Sequence, residues 1–137
     1  MNASHVAFDT DLFRNEQPDE EIDQWFLGED LAKWLHHELI RHDNITSTFE
    51  PIEEDWGWTF GVRVSDTRFR INIWNLHTWI VGLEVKPGLL GVFHKARTAI
   101  AVTALQSMVD QMLATADFKN VEWYDHWPHE RLSARSQ

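Results

Sequence analysis

Trp56-Gly57-Trp58-Thr59-Phe60-Gly61-Val62-Arg63-Val64, then Ser65-Asp66-Thr67, then Arg68-Phe69-Arg70-Ile71-Asn72-Ile73, is the most regular stretch of the chain. Bulky apolar groups occupy every second position in both halves, and a β-strand sends alternate side chains to opposite faces. Each half therefore reads as a strand with one apolar face, and Ser65-Asp66-Thr67 supplies the turn of a hairpin. Toward the C-terminus, Asn75 to Thr78 form a second turn. Trp79, Val81, Leu83 and Val85 then alternate with Ile80, Gly82, Glu84 and Lys86 until Pro87-Gly88 closes the run. Toward the N-terminus, Ile45, Ser47 and Phe49 alternate with Thr46, Thr48 and Glu50 until Pro51 ends the pattern. The expectation is an antiparallel meander of four strands.

The flanks are helical. After Gly28, Glu29 and Asp30 sit where a helix N-terminus favours negative charge, and Leu31, Trp34, Leu35 and Leu39 follow at helical spacing, which predicts a helix over 28–42. From Lys95 to Ala116, Val102, Leu105, Val109 and Met112 form one stripe of a second, amphipathic helix. Val121 to Tyr124 is compatible with one more short strand, and Pro128 with the polar Arg131 to Gln137 reads as a loose end. The fold class is α+β, a two-layer sandwich in which the N- and C-terminal helices pack one face of the meander. The chain reads as a single domain over 1–137, with an acidic, partly docked segment (1–27), the α+β body (28–124) and a loose C-terminal end (125–137).

Composition narrows the functional classes. At 137 residues and 43% apolar content the chain can bury one sizeable core. A formal charge of -10 argues against general affinity for phosphate backbones, so nucleic acid is excluded as an expected partner. No apolar run approaches the roughly 20 residues of a membrane span, and the polar start lacks the features of a secretory signal, so no membrane partner and a cytoplasmic location are expected. The absence of cysteine excludes disulfides, thiolate metal sites and Cys nucleophiles. Nine of the 22 acidic residues lie within 1–30, where Arg14 is the single basic residue, so the acidity is local. Phe8, Leu12, Phe13, Ile22, Trp25 and Phe26 give that segment too much apolar surface for a permanently disordered tail.

If both helices cover one sheet face, the other meets water or a partner. Alternation places Arg63, Arg68, Arg70, Asn72, Trp74, Glu84 and Lys86 there, with Gly57, Gly61 and Gly82 leaving it low in relief. Arg63, Arg68, Arg70, Asn72, Trp74 and Glu84 are the candidate interaction surface, since an aromatic beside guanidinium groups suits a protein contact or a flat ligand. Trp34, Trp56, Trp58 and Trp79 fall on apolar faces and read as packing; Trp123 and Trp127 read as cover for the core edge.

Catalytic and metal motifs are weak. His37 and His42, around Glu38, stand five apart; on a helix their rings diverge by about 140°, whereas a zinc-protease helix needs them four apart on one face. His126 and His129, flanked by Asp125 and Glu130, have the chemistry for zinc or nickel only if a third ligand arrives from elsewhere. Glu53, Glu54 and Asp55 crowd three carboxylates before a strand, which either raises one pKa or makes a solvated turn. No nucleophile elbow, phosphate loop or dinucleotide fingerprint is present. No catalytic residue, metal ligand or cofactor is assigned.

The order of a helix, then Glu54-Asp55-Trp56-Gly57-Trp58-Thr59-Phe60, two further alternating strands, a helix and a Val121-Glu122-Trp123 ending resembles a set of small uncharacterised bacterial α+β proteins over about residues 28–124. The resemblance implies a stand-alone bacterial α+β domain and carries no catalytic residue with it. In size and charge the chain also resembles bacterial immunity proteins, which neutralise toxins by binding them. The expected function is thus a non-enzymatic protein-binding domain, immunity- or inhibitor-like in one version, whose partner is another, basic protein or a second copy in a homodimer. The alternative is a small-molecule- or metal-binding domain or a minor enzyme using Glu53 to Asp55 or the histidines.

Overall fold

A computed structural model describes residues 4–13, 27–86 and 95–135. The elements are β1 (His5–Thr10), α1 (Glu29–Ile40), β2 (Ile45–Glu54), β3 (Gly57–Val64), β4 (Thr67–Asn75), β5 (Trp79–Lys86), α2 (Lys95–Met112), β6 (Phe118–Tyr124) and α3 (His129–Arg135). The fold is α+β, and among the described residues the sheet has six antiparallel strands in the order β2-β3-β4-β5-β1-β6. The meander is present as β2 to β5, but it is two-thirds of a larger sheet. β1 enters between β5 and β6, pairing Val6 with Val81 on one side and with Trp123 on the other. The segment expected to dock loosely before residue 28 thus contributes an interior strand. The acidic positions from Glu16 to Asp23 lie outside the described residues.

Alternation builds the core. Trp58, Phe60, Val62 and Val64 of β3, Phe69, Ile71 and Ile73 of β4, and Trp79, Val81 and Leu83 of β5 are all buried on one sheet face, joined by Val6 and Phe8 of β1. Leu31, Leu35 and Leu39 of α1 and Ala101, Leu105 and Val109 of α2 complete the same cluster. Removing this apolar surface from water is the main stabilising term. α1 starts at Gly28, which has a left-handed backbone (φ 115°) that other residues rarely adopt and lies against the Trp58 and Trp79 rings. Among the described residues no helix is long and apolar enough to cross a membrane.

Three further expectations change. Pro51 does not end β2, which runs on to Glu54 through two register shifts. β2 is an edge strand, where a missing N–H costs no ladder bond, and the irregularity turns Phe49 and Ile52 outward. Trp56 is not a core residue: Glu54 pairs with Gly57, so Asp55 and Trp56 form the turn, and Trp56 is 40% exposed. The end expected to be loose beyond residue 125 contains α3, which lies against the sheet face opposite α1 and α2. Its Arg131 donates to the carbonyl oxygens of Ala7 (3.4 Å) and Asn120 (2.5 Å) and lies 3.5 Å from Asp9. The second layer is therefore not bare throughout.

Candidate functional site

The sheet face away from α1 and α2 is read as rows across the strands. At one end Arg63, Arg68 and Lys86 stand directly opposite one another on β3, β4 and β5. The next row is Gly61, Arg70 and Glu84; the third is Thr59, Asn72, Gly82, His5 and Tyr124; the last includes Trp74, Ile80, Ala7 and Glu122. The six candidate residues thus share one face, and the rows divide it into three zones.

Among the described residues nothing covers the basic end. Arg63 and Arg68 are exposed and make no ion pair among the described residues, while Lys86 pairs with Glu84 at 3.1 Å. On β2, opposite the second and third rows, Phe49 and Ile52 are 37% and 48% exposed. Phe49 lies over Gly61, where an added Cβ would come within 2.4 Å of its ring. The glycine therefore serves as a bed for an aromatic side chain.

The middle is a hydrogen-bonded band. Glu54 accepts from Arg70 at 3.0 Å; Arg70 Nε donates to the Thr59 hydroxyl at 3.0 Å, which donates to Asn72 Oδ1 at 2.9 Å. Asn72 Nδ2 reaches Glu84 at 3.4 Å. Asn72 is buried and Arg70 only part-exposed, so these two candidates order the face rather than project from it. Satisfied networks of this kind are rigid, because losing one member strands the next.

The aromatic end is partly covered. Trp74 lies 5.0 Å from Trp56 and 4.9 Å from Trp127 between ring centroids, and 6.1 Å from His5. Trp127, expected to cover the core edge, instead sits on this opposite face, and Trp74 is half-buried beneath it. A hollow of about 410 Å³ opens here, lined by Trp56, Trp74, Trp127, Asp55, Asn75 and Leu76 among others. Burial, with some help from the neighbouring His126, holds the His5 imidazole below its ordinary pKa. His126 is raised above it by hydrogen bonds to Asp125 (2.6 Å) and Glu130 (3.1 Å). Tyr124 is raised, chiefly by burial and then by donating to Glu122.

The remaining candidates disperse. His37 and His42 are exposed, with α1 ending before His42. Their neighbour His36 is instead buried, hydrogen-bonded to Ser47 Oγ at 2.8 Å and edge-on to Phe60. Of the three crowded carboxylates, Glu54 is committed to Arg70. No group of three or more His, Asp or Glu stands ready to hold a metal among the described residues. Comparison with family models, curated proteins and solved structures returns no match.

The histidines make stability pH-dependent. Burial lowers the pKa of both His5 and His36 in the folded chain, with Glu50 opposing and His37 adding to the shift at His36. Below about pH 6.5 the unfolded chain therefore binds protons that the folded chain refuses. Their contribution is full above that pH and declines as pH falls through the unfolded value toward the depressed folded ones. His126, raised and exposed, acts weakly in the opposite sense. The melting temperature is expected to drop between about pH 7 and about pH 5, and to drop less in a His5→Gln, His36→Gln double variant. An equal drop in both proteins would contradict this.

Proposed function

We propose that the protein is a non-enzymatic binding module whose basic sheet end receives an acidic segment of another protein. The observation that carries the reading is the row Arg63, Arg68 and Lys86 across three strands of a chain with net charge -10, in which Lys86 is paired with Glu84 and the two arginines make no ion pair among the described residues. Like charges directly opposite one another destabilise a sheet, and a bound carboxylate-rich segment offsets that cost. The acidity elsewhere does not cancel the attraction, because charges beyond about 8 Å are largely screened at physiological salt. Local charge thus favours an acidic partner over the basic one that overall composition suggests.

Exposed Phe49 and Ile52 stand opposite Gly61 and Thr59, one and two rows along the face from the cations, and supply apolar contact on that side. Pro51 and the two register irregularities blunt β2 as an edge, which favours docking on the face over addition of a further strand. An inhibitor or immunity role is one form of this function.

A photo-crosslinking residue at exposed Thr46, which pairs with Arg63 on this face, tests the reading, with one at exposed Gln111 as control. In lysate of the source cells, position 46 is expected to crosslink to Asp/Glu-rich peptides. Arg63→Glu with Arg68→Glu is expected to cut the yield at least about tenfold. Crosslinks confined to a second copy of the chain, to peptides without acidic residues, or insensitive to the charge reversal would overturn it.

A further inference from the structure

We infer that the hollow at the aromatic end of the sheet, bounded by Trp56, Trp74, Trp127 and Asp55, is a binding site for an organic cation of the quaternary or alkylated ammonium class. Four segments build it: the chain before α1 brings Leu27, the β2–β3 turn brings Asp55 and Trp56, the end of β4 and the residue after it bring Trp74, Asn75 and Leu76, and the chain before α3 brings Trp127. The Trp56 and Trp74 planes are inclined by 32° and Trp127 stands at 81° to Trp74, so the indoles make two walls near a right angle. A hollow of about 410 Å³ falls within the size range of small-ligand sites.

Packing accounts for part of this cluster, since Trp127 anchors the C-terminal arm over Trp74. It does not account for Trp56, which is 40% exposed at the mouth, or for the open hollow beside the rings. Indole faces carry the negative side of the ring quadrupole and attract a cation that is itself apolar on its outside. Among the described residues Asp55 is the one charged residue lining the hollow, and it has no ion-pair partner there. An anion is repelled there. Behind the rings, His5 lies 6.1 Å from Trp74 and 5.8 Å from Trp127, and its lowered pKa keeps a competing positive charge out of the site near neutral pH.

The same head group occurs on free small molecules and on methylated lysine, so both sources enter the test. The full chain is titrated with tetramethylammonium, choline and a trimethyllysine peptide while the indole N–H resonances are followed by NMR. Saturable shifts of Trp56, Trp74 and Trp127 are expected with at least one of these. Binding by the free cations assigns a small-molecule ligand, and binding by the peptide alone assigns a modified protein. The uncharged isostere 3,3-dimethyl-1-butanol is expected to bind about tenfold more weakly than choline, and Trp56→Ala to weaken choline by about tenfold. Asp55→Asn is expected to weaken choline while leaving the isostere unchanged, a contrast that a folding defect cannot produce. The inference is overturned if no cation shifts these indoles saturably, or if the isostere binds as well as its charged counterpart.

Discussion

Phe8→Ala is expected to lower the unfolding free energy by about 3–5 kcal/mol, the usual cost of emptying a buried aromatic site. Phe8 is 1% exposed and stands edge-on to Phe118 with centroids 5.6 Å apart. Its backbone is equally committed: Phe8 pairs with Trp79 in the ladder, and its carbonyl accepts from the Thr78 hydroxyl at 3.1 Å. The lost ring therefore opens a cavity under a strand held on both edges, which leaves little freedom to collapse. Leu12, two residues beyond β1 and 54% exposed, is the internal control, and Leu12→Ala is expected to fall within about 0.5 kcal/mol of the parent. Urea denaturation of the two variants separates the cases. Equal midpoints would mean that the N-terminal segment is only an ornament on a four-stranded sheet.

β1 also shows where reading the chain stops. β3, β4 and β5 are legible because long strict alternations, joined by short turns, carry their pairing with them. β1 has six residues with only Val6 and Phe8 as large apolar groups, and it precedes a run of acids that sets the character of the whole segment. Its place between β5 and β6 depends on contacts with residues more than 70 positions away, which no local pattern encodes. α3 was hidden for a related reason. His129-Glu130-Arg131-Leu132 looks like a solvated end, and it is held by the Arg131 guanidinium reaching carbonyl oxygens of β1 and β6, together with Trp127 packed on Trp74.

The candidate surface was legible in part. Alternation alone puts Arg63, Arg68, Arg70, Asn72, Trp74 and Glu84 on one face, and all six are there. It says nothing of what lies above them. Trp74 is half-covered because Trp127 arrives from a segment expected to be loose, and Asn72 is buried because Arg70, Thr59 and Glu84 close around it.

Trp56 was misplaced by extending the alternation one hairpin position too far. The signal that could have corrected it was Gly57. A Cβ there would come within 2.1 Å of the Ile73 carbonyl oxygen, so the strand must begin at a residue without a side chain, leaving Asp55 and Trp56 to the turn. The Glu54-Asp55-Trp56-Gly57-Trp58 element then resolves into separate tasks: an ion pair to Arg70, two residues at the mouth of the hollow, a close backbone approach and a core side chain.

The sheet face is unequal, sealed by the C-terminal arm at one end and, among the described residues, bare at the other, and arginine chemistry reports on both ends at once. Arg131 has a side chain only 8% exposed and reacts with phenylglyoxal when α3 lifts away, whereas Arg63 and Arg68 are exposed and unpaired among the described residues. If that opening costs about 3 kcal/mol, in line with the loss of charge-assisted hydrogen bonds, Arg131 reacts on the order of a hundredfold more slowly than Arg63 and Arg68. Arg70, part-exposed and held by Glu54 and Thr59, falls between them. Residue-by-residue modification rates of the isolated protein, read by mass spectrometry, are predicted to follow that order. Equal rates at Arg131 and Arg68, or protection of Arg63 and Arg68 in the unliganded chain, would contradict it.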